Sequence, residues 1–487
     1  MNTLSVPRFA RAAVAALVYA AASTTIPLPV CAAAAAASAP GRVAPAAADP
    51  LPGRPARSEE QVLQRLLASA ARPLWSHEGQ PTPQSTALLH LLATSEVYGL
   101  IPADYGVQML ESARAQLAAD PGRFDRLLSL AAIRLLTHLH YGRVLPTAAG
   151  FDLPARPEDL DVAQAVAGLA AAADVGQSVA AVEPGFYHYA LLKSALARLR
   201  AEPQGPDTAA HERKIELTLE RWRWIPPFNT PPIVVNIPQF RLFAFHSTLD
   251  RVADIDQMPV IVGKAFPRRQ TPVFVSTMRY VVFRPYWDVP RSIAVNEILP
   301  QARRNPAYLA RNRYELVRGQ SDSSPVVPAT PENIDLLAQG QLRVRQKPGK
   351  DNSLGLVKLM FPNRYNVYLH STPAQALFAH LRRDFSHGCI RVADPVALAT
   401  YALRNNPGWD RDRVLAAMGD GAPDSQRVNL AQPIEVMILY GTALATEAGP
   451  VEYYADIYGN DARLEKLLGL PRLPTPAHAP ANKTNRK

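Results

Sequence analysis

The chain changes its hydrophobic periodicity near Pro227, and this change restricts the folds that it can adopt. Over residues 58–213 apolar side chains recur at helical spacing, as at Leu88 and Leu92, which predicts amphipathic helices. After Pro227 the apolar residues form short alternating or β-branched runs, which predicts strands. These runs are Ile233 to Ile237, Arg241 to Phe245, Met258 to Val262, Thr271 to Val275, Met278 to Phe283, Leu356 to Met360, Asn366 to Leu369 and Ile434 to Tyr440. We therefore expect an α+β fold, in which an N-terminal α-helical domain precedes a mostly antiparallel β domain, either a sandwich or a barrel-like sheet.

The chain has 487 residues, which is long enough for two or more domains. We assign residues 58–215 to the helical domain and residues 216–460 to the β domain. Between about residues 290 and 346 the strand pattern gives way to a polar, helical insertion. Long excursions from a compact domain are often lids or binding loops, so we predict a lid here. The alternative is a solvated loop with no role in gating.

Residues 1–32 have the pattern of a secretory signal peptide. Arg8 and Arg11 precede an apolar, Ala-rich run, and small residues follow. An uncleaved membrane anchor fits less well, because the apolar run is short and is followed by prolines. Lipidation of Cys31 is a further alternative. The Ala/Pro-rich residues 33–57 and the Pro-rich residues 471–487 are predicted to be a disordered linker and tail.

The net charge of +10 indicates an anionic partner or surface, such as nucleic acid or an acidic cell-wall polymer. Nucleic-acid-binding segments usually combine basic side chains with stacking aromatic ones. We find no such interleaved cluster in this sequence, and therefore expect no nucleic acid partner.

Cys389 is the one cysteine that remains if the predicted leader is removed. A lone cysteine in an exported chain, with histidines elsewhere, is a candidate nucleophile. It lies in the segment D-F-S-H-G-C-I-R-V, and His370 lies upstream in Y-L-H-S-T-P. A thiol needs a base or a positive field to become a thiolate, so His370 could take its proton if the fold unites them. Ser371 could orient the imidazole through its backbone carbonyl or its hydroxyl.

The residues just before the cysteine suit a tight turn that binds an oxyanion. Gly388 permits such a turn, and the backbone N–H groups of His387, Gly388 and Cys389 could then converge on a developing negative charge. Ser386 would border the same pocket. Asp394-Pro395 then predicts the start of a helix, whose positive end would favour the thiolate.

Three other interpretations of this segment use the same residues. Cys389 could be a small buried hydrophobe, although its polar, Gly-containing surroundings argue against a core position. A metal site could be formed by His370, His380, His387 and Cys389, but the spacing fits no standard zinc pattern. Ser386 could be a nucleophile, but no G-x-S-x-G frame surrounds it. We therefore expect a thiol nucleophile and neither a metal nor an organic cofactor.

The segment S-H-G-C-I-R, preceded by Y-L-H-S-T-P, strongly resembles the catalytic motif of the L,D-transpeptidases (YkuD-type catalytic domain). Flanking stretches resemble the large Gram-negative branch that cross-links peptidoglycan. They are E-R-W-R-W-I-P at 220–226, V-N-I-P at 235–238, P-Y-W-D-V-P at 285–290, R-Q-K-P-G at 345–349, N-S-L-G at 352–355 and F-P-N at 361–363. Large members commonly carry a small peptidoglycan-binding module before E-R-W-R-W, and here the segment from Arg200 to Arg213 has no room for it.

The resemblance implies a helical scaffold domain, a capping subdomain over the active site and a periplasmic location. It also implies that Cys389 attacks the third residue of a tetrapeptide stem, with His370 as the base. The thioester would then react with an amine of an acceptor stem to give a 3→3 cross-link. Arg391 is placed to bind a substrate carboxylate, and the alternative is a structural ion pair. Trp287 is expected to be a packing residue, although Tyr286 and Trp287 could line a groove wall. This branch is also expected to be acylated by carbapenems.

Other outcomes stay open at this stage. The same acyl-enzyme could be resolved by water, by a free D-amino acid or by a lysine of an outer-membrane lipoprotein. In a different class of function, the chain could be a non-catalytic wall-binding scaffold with an inert motif.

Overall fold

The computed structural model describes residues 59–471, apart from 155, 157, 158, 204, 250, 252–254 and 448. The predicted signal peptide, the predicted linker and all but the first residue of the predicted tail therefore lie outside the described residues. Within the described part of the chain, no helix combines the length and the apolar character that a membrane crossing needs.

The first part of the described chain is helical, with one small hairpin. Thr82 and Asp120 cap two of the helices, each accepting a backbone N–H through its side chain with a proline in the first turn. Leu88 and Leu92 are fully buried in the core of this region. The helices are α1 Glu59–Ser69, α2 Pro83–Ala93, α3 Val107–Ala115, α4 Pro121–Tyr141, α5 Val162–Ala171, α6 Val175–Ala180, α7 Tyr187–Ala201 and α8 Thr208–Trp222, and the hairpin pairs β1 Ser76–His77 with β2 Gln80–Pro81.

Six residues connect α7 to α8, so no binding module is inserted between these two helices. Much of the segment from Arg200 to Arg213 is itself helical, because α7 ends at Ala201 and α8 already begins at Thr208. The predicted domain boundary at residues 215–216 falls within α8. Its buried residues share one hydrophobic core with α7 and with the strands that follow.

The chain then forms strands, interrupted by an inserted subdomain. The first strands are β3 Ile233–Asn236, β4 Arg241–Phe245, β5 Ile255–Gly263 and β6 Phe274–Phe283. The insertion contains β7 Trp287–Asp288, α9 Arg291–Ile293, α10 Leu299–Arg304, α11 Ala307–Arg311, β8 Tyr314–Val317, β9 Val326–Val327, α12 Pro331–Gln339 and β10 Arg343–Gln346. The chain continues with β11 Val357–Met360, β12 Leu369–His370, β13 Asp384–Ser386, β14 Ile390–Val392, α13 Pro395–Ala402, α14 Arg411–Met418, β15 Gln426–Leu439, β16 Ala443–Ala445, β17 Val451–Tyr453 and α15 Asn460–Leu467.

The main sheet closes into a barrel. Its strands lie in the order β13-β5-β14-β12-β11-β6-β15-β3-β4, and β4 also pairs with β5. The pairs β12/β14, β5/β13 and β3/β15 are parallel, and the other neighbouring pairs are antiparallel. The predicted α+β class is thus confirmed, and the barrel is the form that the sheet takes.

The insertion is a folded subdomain rather than a solvated loop. A four-stranded sheet in the order β7-β10-β8-β9 packs with α9 to α12 around its own core, which includes Ile298, Leu309 and Leu337. The sequence predicted helices here but not these strands. Between α9 and α10, residues Ala294–Ile298 form a π-helical turn, a feature that often marks functional positions.

The end of α8 joins the helical region to the barrel through buried charges. Arg223 is fully buried and pairs with Glu220 at 3.1 Å. Arg223 also donates to the Tyr98 carbonyl, and Glu220 accepts the backbone N–H of Arg143 at 2.5 Å. The E-R-W-R-W segment is therefore a junction held by a buried ion pair.

We expect Arg223→Met to lower the free energy of unfolding by about 3–5 kcal/mol, because it leaves the buried Glu220 carboxylate without its cation. Urea unfolding of the variant and the wild type measures this difference. The matched control is Arg303→Met, which removes the exposed ion pair between Arg303 and Asp335 and should cost less than about 1 kcal/mol. Equal losses in the two variants would contradict a stabilising role for the junction.

Candidate active site

Three neighbouring strands bring the predicted site residues to one face of the sheet. His370 on β12 is in register with Arg391 on β14 and with Lys358 on β11. Registered residues project from the same face. Tyr368 and Cys389 come directly before β12 and β14. The Tyr368 ring lies against Lys358, and the charges of Lys358 and Arg391 act on Cys389, so both residues belong to this side of the sheet. Cys389 and His370 thus lie at the start and at the end of two adjacent parallel strands.

The turn before Cys389 is fixed by side-chain hydrogen bonds. Gly388 has a φ of +121°, a conformation that side chains other than that of glycine rarely adopt. The Ser386 hydroxyl donates to the Cys389 carbonyl at 2.5 Å and accepts the Gly388 N–H at 3.1 Å. The Thr271 hydroxyl donates to the Gly388 carbonyl at 2.7 Å. Ser386 therefore stabilises the turn.

This hydrogen bonding corrects the predicted oxyanion site. The Gly388 N–H is already bound to the Ser386 hydroxyl, so it is not directed at a substrate. The backbone N–H groups of His387 and Cys389 stay as the predicted donors. Two donors are sufficient for an oxyanion hole.

Cys389 is half-buried, and its thiol has two polar neighbours. The thiol donates to the Asn366 carbonyl at 3.5 Å, and both the backbone and the hydroxyl of Tyr368 are hydrogen-bonded to Cys389. Burial raises the pKa of the thiol, although Tyr368, Lys358 and Arg391 act in the opposite direction. The sequence predicted a thiolate favoured by the helix that follows. In the structure the desolvation of the thiol outweighs the favourable positive charges around it, so the free site holds a neutral thiol that needs a base.

His370 is buried and held in one orientation. Its Nδ1 lies 2.5 Å from the Ser371 carbonyl oxygen. Because a carbonyl only accepts, Nδ1 carries the proton in the neutral imidazole and Nε2 carries the lone pair. Of the two Ser371 groups that could orient the imidazole, the backbone carbonyl and the hydroxyl, the carbonyl therefore does so. The backbone of Leu354 is also hydrogen-bonded to the ring. Burial, followed by the charges of Arg391 and Lys358, lowers the pKa of His370 to about 3.

Three buried histidines should make the fold sensitive to acid. Burial also lowers the pKa of His188, to about 4, and it lowers the pKa of His138 well below its ordinary value. Between pH 7 and pH 5 these imidazoles stay neutral in the folded chain but gain protons in the unfolded chain, where the pKa is about 6.5. The free energy of unfolding is therefore unaffected by these groups above the unfolded pKa, and it decreases as the pH falls below that pKa.

We expect the free energy of unfolding to fall between pH 7 and pH 5 by about 2 kcal/mol for each of these three histidines. Urea midpoints measured across this range check the prediction. In His188→Gln, one of the three contributions should disappear. An unchanged pH slope in that variant would contradict it.

The inserted subdomain reaches the cysteine segment through one acidic residue. Glu297, in the π-helical turn, places Oε1 2.7 Å from His387 Nε2 and 3.3 Å from Arg269 Nη2. His387 is thus a contact between the barrel and the insertion. The predicted lid therefore contacts the residue two positions before the candidate nucleophile.

The two predicted groove residues differ in their surroundings. The Trp287 indole N–H donates to the Tyr368 hydroxyl, so Trp287 is joined to Cys389 through one side chain. The guanidinium of Arg345 lies 4.2 Å from the centroid of the Tyr286 ring. Trp287 borders the site, whereas Tyr286 is covered by an arginine of the insertion.

Three residues of the site were missed by sequence reasoning: Lys358, Tyr368 and Glu297. Tyr368 stood in the quoted motif, and its separation of two residues from His370 could have placed it on the same face. Lys358 and Glu297 carried no such signal, because strand register and lid packing bring them here.

A large cavity of about 520 Å³ lies elsewhere, between α7, α8 and the strands β3 and β4. Apolar side chains such as Leu191, Phe243 and Phe245 contribute much of its lining, and it includes none of the predicted site residues. A nucleophile with an oriented base occurs instead on the face that carries Cys389, which is where we place the candidate active site.

Two family models match this chain. The L,D-transpeptidase catalytic domain (YkuD) matches residues 231–420, and the scaffold domain matches residues 37–196. A Haemophilus influenzae protein that bears the name "Putative L,D-transpeptidase" is 30% identical over 252 residues, which cover 52% of this chain and 49% of that protein. The chain therefore spans about half the length of this curated relative.

Proposed function

Because the chain carries a YkuD-type L,D-transpeptidase catalytic domain together with a scaffold domain, we propose that it is a cysteine-dependent transpeptidase that forms 3→3 cross-links in peptidoglycan. The observation that supports this most directly is that Cys389 directly precedes β14, the parallel neighbour of the strand β12 that ends with His370. The bond from His370 Nδ1 to the Ser371 carbonyl supports the tautomer in which Nε2 carries the lone pair that accepts a proton. The substrates are a donor tetrapeptide and an acceptor stem.

In the first half-reaction the Cys389 sulfur attacks the carbonyl carbon of the third residue, a diaminopimelate. His370 Nε2 takes the thiol proton, and the N–H groups of His387 and Cys389 stabilise the oxyanion. The bond to the terminal D-alanine breaks, and its nitrogen receives the proton from His370. The products are a thioester and free D-alanine.

In the second half-reaction the side-chain amine of a diaminopimelate on another stem attacks the thioester. His370 removes a proton from this amine and returns it to sulfur. An amide forms, the thiol is regenerated, and no metal or organic cofactor takes part. We place this reaction in the periplasm, after export directed by the predicted signal peptide.

Water, a free D-amino acid or a lipoprotein lysine could replace the acceptor amine without a change in the site. These alternatives give a tripeptide, an exchanged stem or an attached protein. A non-catalytic wall-binding scaffold is the alternative from another class. It is less well supported, because such a protein has no use for an oriented base beside a thiol.

Muropeptide analysis tests the proposal. The protein is incubated with tetrapeptide-rich sacculi, and the products are separated and identified by mass. Appearance of 3→3 cross-linked dimers together with D-alanine is expected. Protein alkylated beforehand with iodoacetamide is the control and should give neither product. If only tripeptides or exchanged stems appeared, the activity would be hydrolysis or exchange and not cross-linking.

A mass measurement separates the enzyme from the scaffold. After incubation with a carbapenem, we expect a covalent adduct on the tryptic peptide of residues 384–391, which contains Cys389. Folded protein that forms no adduct and releases no D-alanine would support the scaffold.

A further inference from the structure

The face that carries the cysteine also carries two cations that lack an anionic partner. In the described part of the chain, neither Lys358 nor Arg391 takes part in an ion pair. The Arg391 Nε is buried without a hydrogen-bond partner. Lys358 Nζ lies 4.3 Å from the centroid of the Tyr368 ring. Both side chains are half-buried. The charge that acts on both is that of Cys389, whose thiol is neutral in the free site. Cations withdrawn from water are normally paired, so this arrangement indicates that an anion is supplied from outside the chain.

The two cations stand on either side of His370. Lys358 is the registered neighbour of His370 on β11, and Arg391 is its registered neighbour on β14. The three basic side chains therefore form a row across three strands. The carboxylate that acts on Lys358 at longer range, Asp322, accepts a hydrogen bond from Ser425 at 2.5 Å.

From this row, and resting on the proposed function, we infer that Lys358 and Arg391 together bind the free carboxylate of the donor's terminal D-alanine, and so select stems that end one residue after the scissile bond. Arg391 alone was predicted to bind a substrate carboxylate. The structure adds Lys358 and indicates which carboxylate is bound.

The structure of the leaving D-alanine explains why its carboxylate would lie beside these cations. Its nitrogen must approach His370 to receive a proton, and its carboxylate carbon is two bonds further along. A carboxylate at that position lies beside the row that flanks His370. The spacing along the strands agrees, since Arg391 follows Cys389 by two residues, or about 7 Å. A longer stem has a neutral amide at this position and leaves both cations unpaired.

Carboxylate binding would also prepare the base. Lys358 and Arg391 both lower the pKa of His370 in the empty site. A bound carboxylate cancels part of their field, so the imidazole accepts the thiol proton more readily when the correct donor is present.

Two synthetic donors test the inference in the wild-type protein. One is the tetrapeptide stem with a free terminal carboxylate, and the other carries the same residue as its amide. Release of D-alanine or D-alaninamide is followed by mass spectrometry. We expect kcat/KM to be about 10- to 100-fold higher for the carboxylate, the usual range for a charge-assisted hydrogen bond.

Variants then assign this preference to residues. In Lys358→Met and in Arg391→Met the ratio of the two kcat/KM values should fall towards 1, and Lys358→Arg should restore part of it. The matched control is Arg427→Met. Arg427 lies on the same face at the registered position beyond Val282, where it is exposed and stacks on Tyr280 at 3.8 Å. This variant should keep the wild-type ratio.

The results of these experiments distinguish a failure of the carboxylate inference from a failure of the proposed function. If the wild type uses both donors equally, the carboxylate inference is wrong while the transpeptidase proposal stands. If Lys358→Met slows both donors to the same extent, Lys358 serves the thiol and the inference is again wrong. If the folded wild type consumes neither donor and no sacculus is cross-linked, the proposed function fails and the inference fails with it.

Discussion

The Cys389→Ala variant is expected to lose at least about 10⁴-fold in turnover, because no other group in the site can form the acyl intermediate. It should also form no adduct with a carbapenem. Cys389→Ser should be almost as inactive, since a serine hydroxyl is much harder to ionise beside a base whose pKa is depressed. D-alanine release from tetrapeptide stems measures turnover, and intact mass measures acylation.

The fold should survive these changes, since Cys389 is half-buried and its sulfur makes a 3.5 Å hydrogen bond. Circular dichroism and the thermal midpoint of each variant serve as controls. A well-folded Cys389→Ala protein that still cross-links sacculi would remove the thiol from the mechanism, and the proposed function would need another nucleophile.

His370→Gln should lower kcat by about 10²- to 10⁴-fold, which is the usual contribution of a general base. The variant keeps a hydrogen-bonding side chain beside Ser371 but has no group that can accept the thiol proton. Its residual rate should rise as the pH increases, because the pKa of the buried thiol lies above its ordinary value and hydroxide must then remove the proton. Rates of D-alanine release between pH 6 and pH 9 check both expectations.

The matched control for this variant is His380→Gln. His380 lies close to the cysteine segment in sequence, but it is exposed and packs edge-on against Phe385 with ring centroids 5.4 Å apart. Its replacement should leave kcat within about twofold of the wild type. If both histidine variants lost activity to the same degree, the assignment of His370 as the base would be contradicted.

Local patterns predicted much of the fold. β4 has the predicted bounds, and α13 begins at Pro395 with the Asp394 carboxylate capping the Ala397 N–H at 2.9 Å. Other elements differ from the prediction where strand pairing across the sheet determines their bounds. The end of the predicted run Thr271 to Val275 joins the run Met278 to Phe283 in the single strand β6, because pairing with β15 continues through Ser276 and Thr277. Residues 271–273 precede the strand.

Closure of the barrel could not be predicted from local patterns, because it depends on the long-range pairing of β4 with β5. The same limit applies to the site. The motif alone indicated Cys389, His370 and Ser371, since the chemistry restricts which residue types are useful. The cation row and the use of the Gly388 N–H by Ser386 depend on register and on hydroxyl geometry, which residue types do not reveal.

One hydrophobic core extends from α7 and α8 into the barrel, and this affects which recombinant fragments are practical. A fragment starting at residue 231, where the matched catalytic domain begins, would expose the apolar surface that these helices cover. Such a fragment is expected to aggregate on expression. Inhibitor screening and crystallisation should therefore use a polypeptide that retains both helices, and insertion of tags or affinity handles is best avoided at the E-R-W-R-W junction.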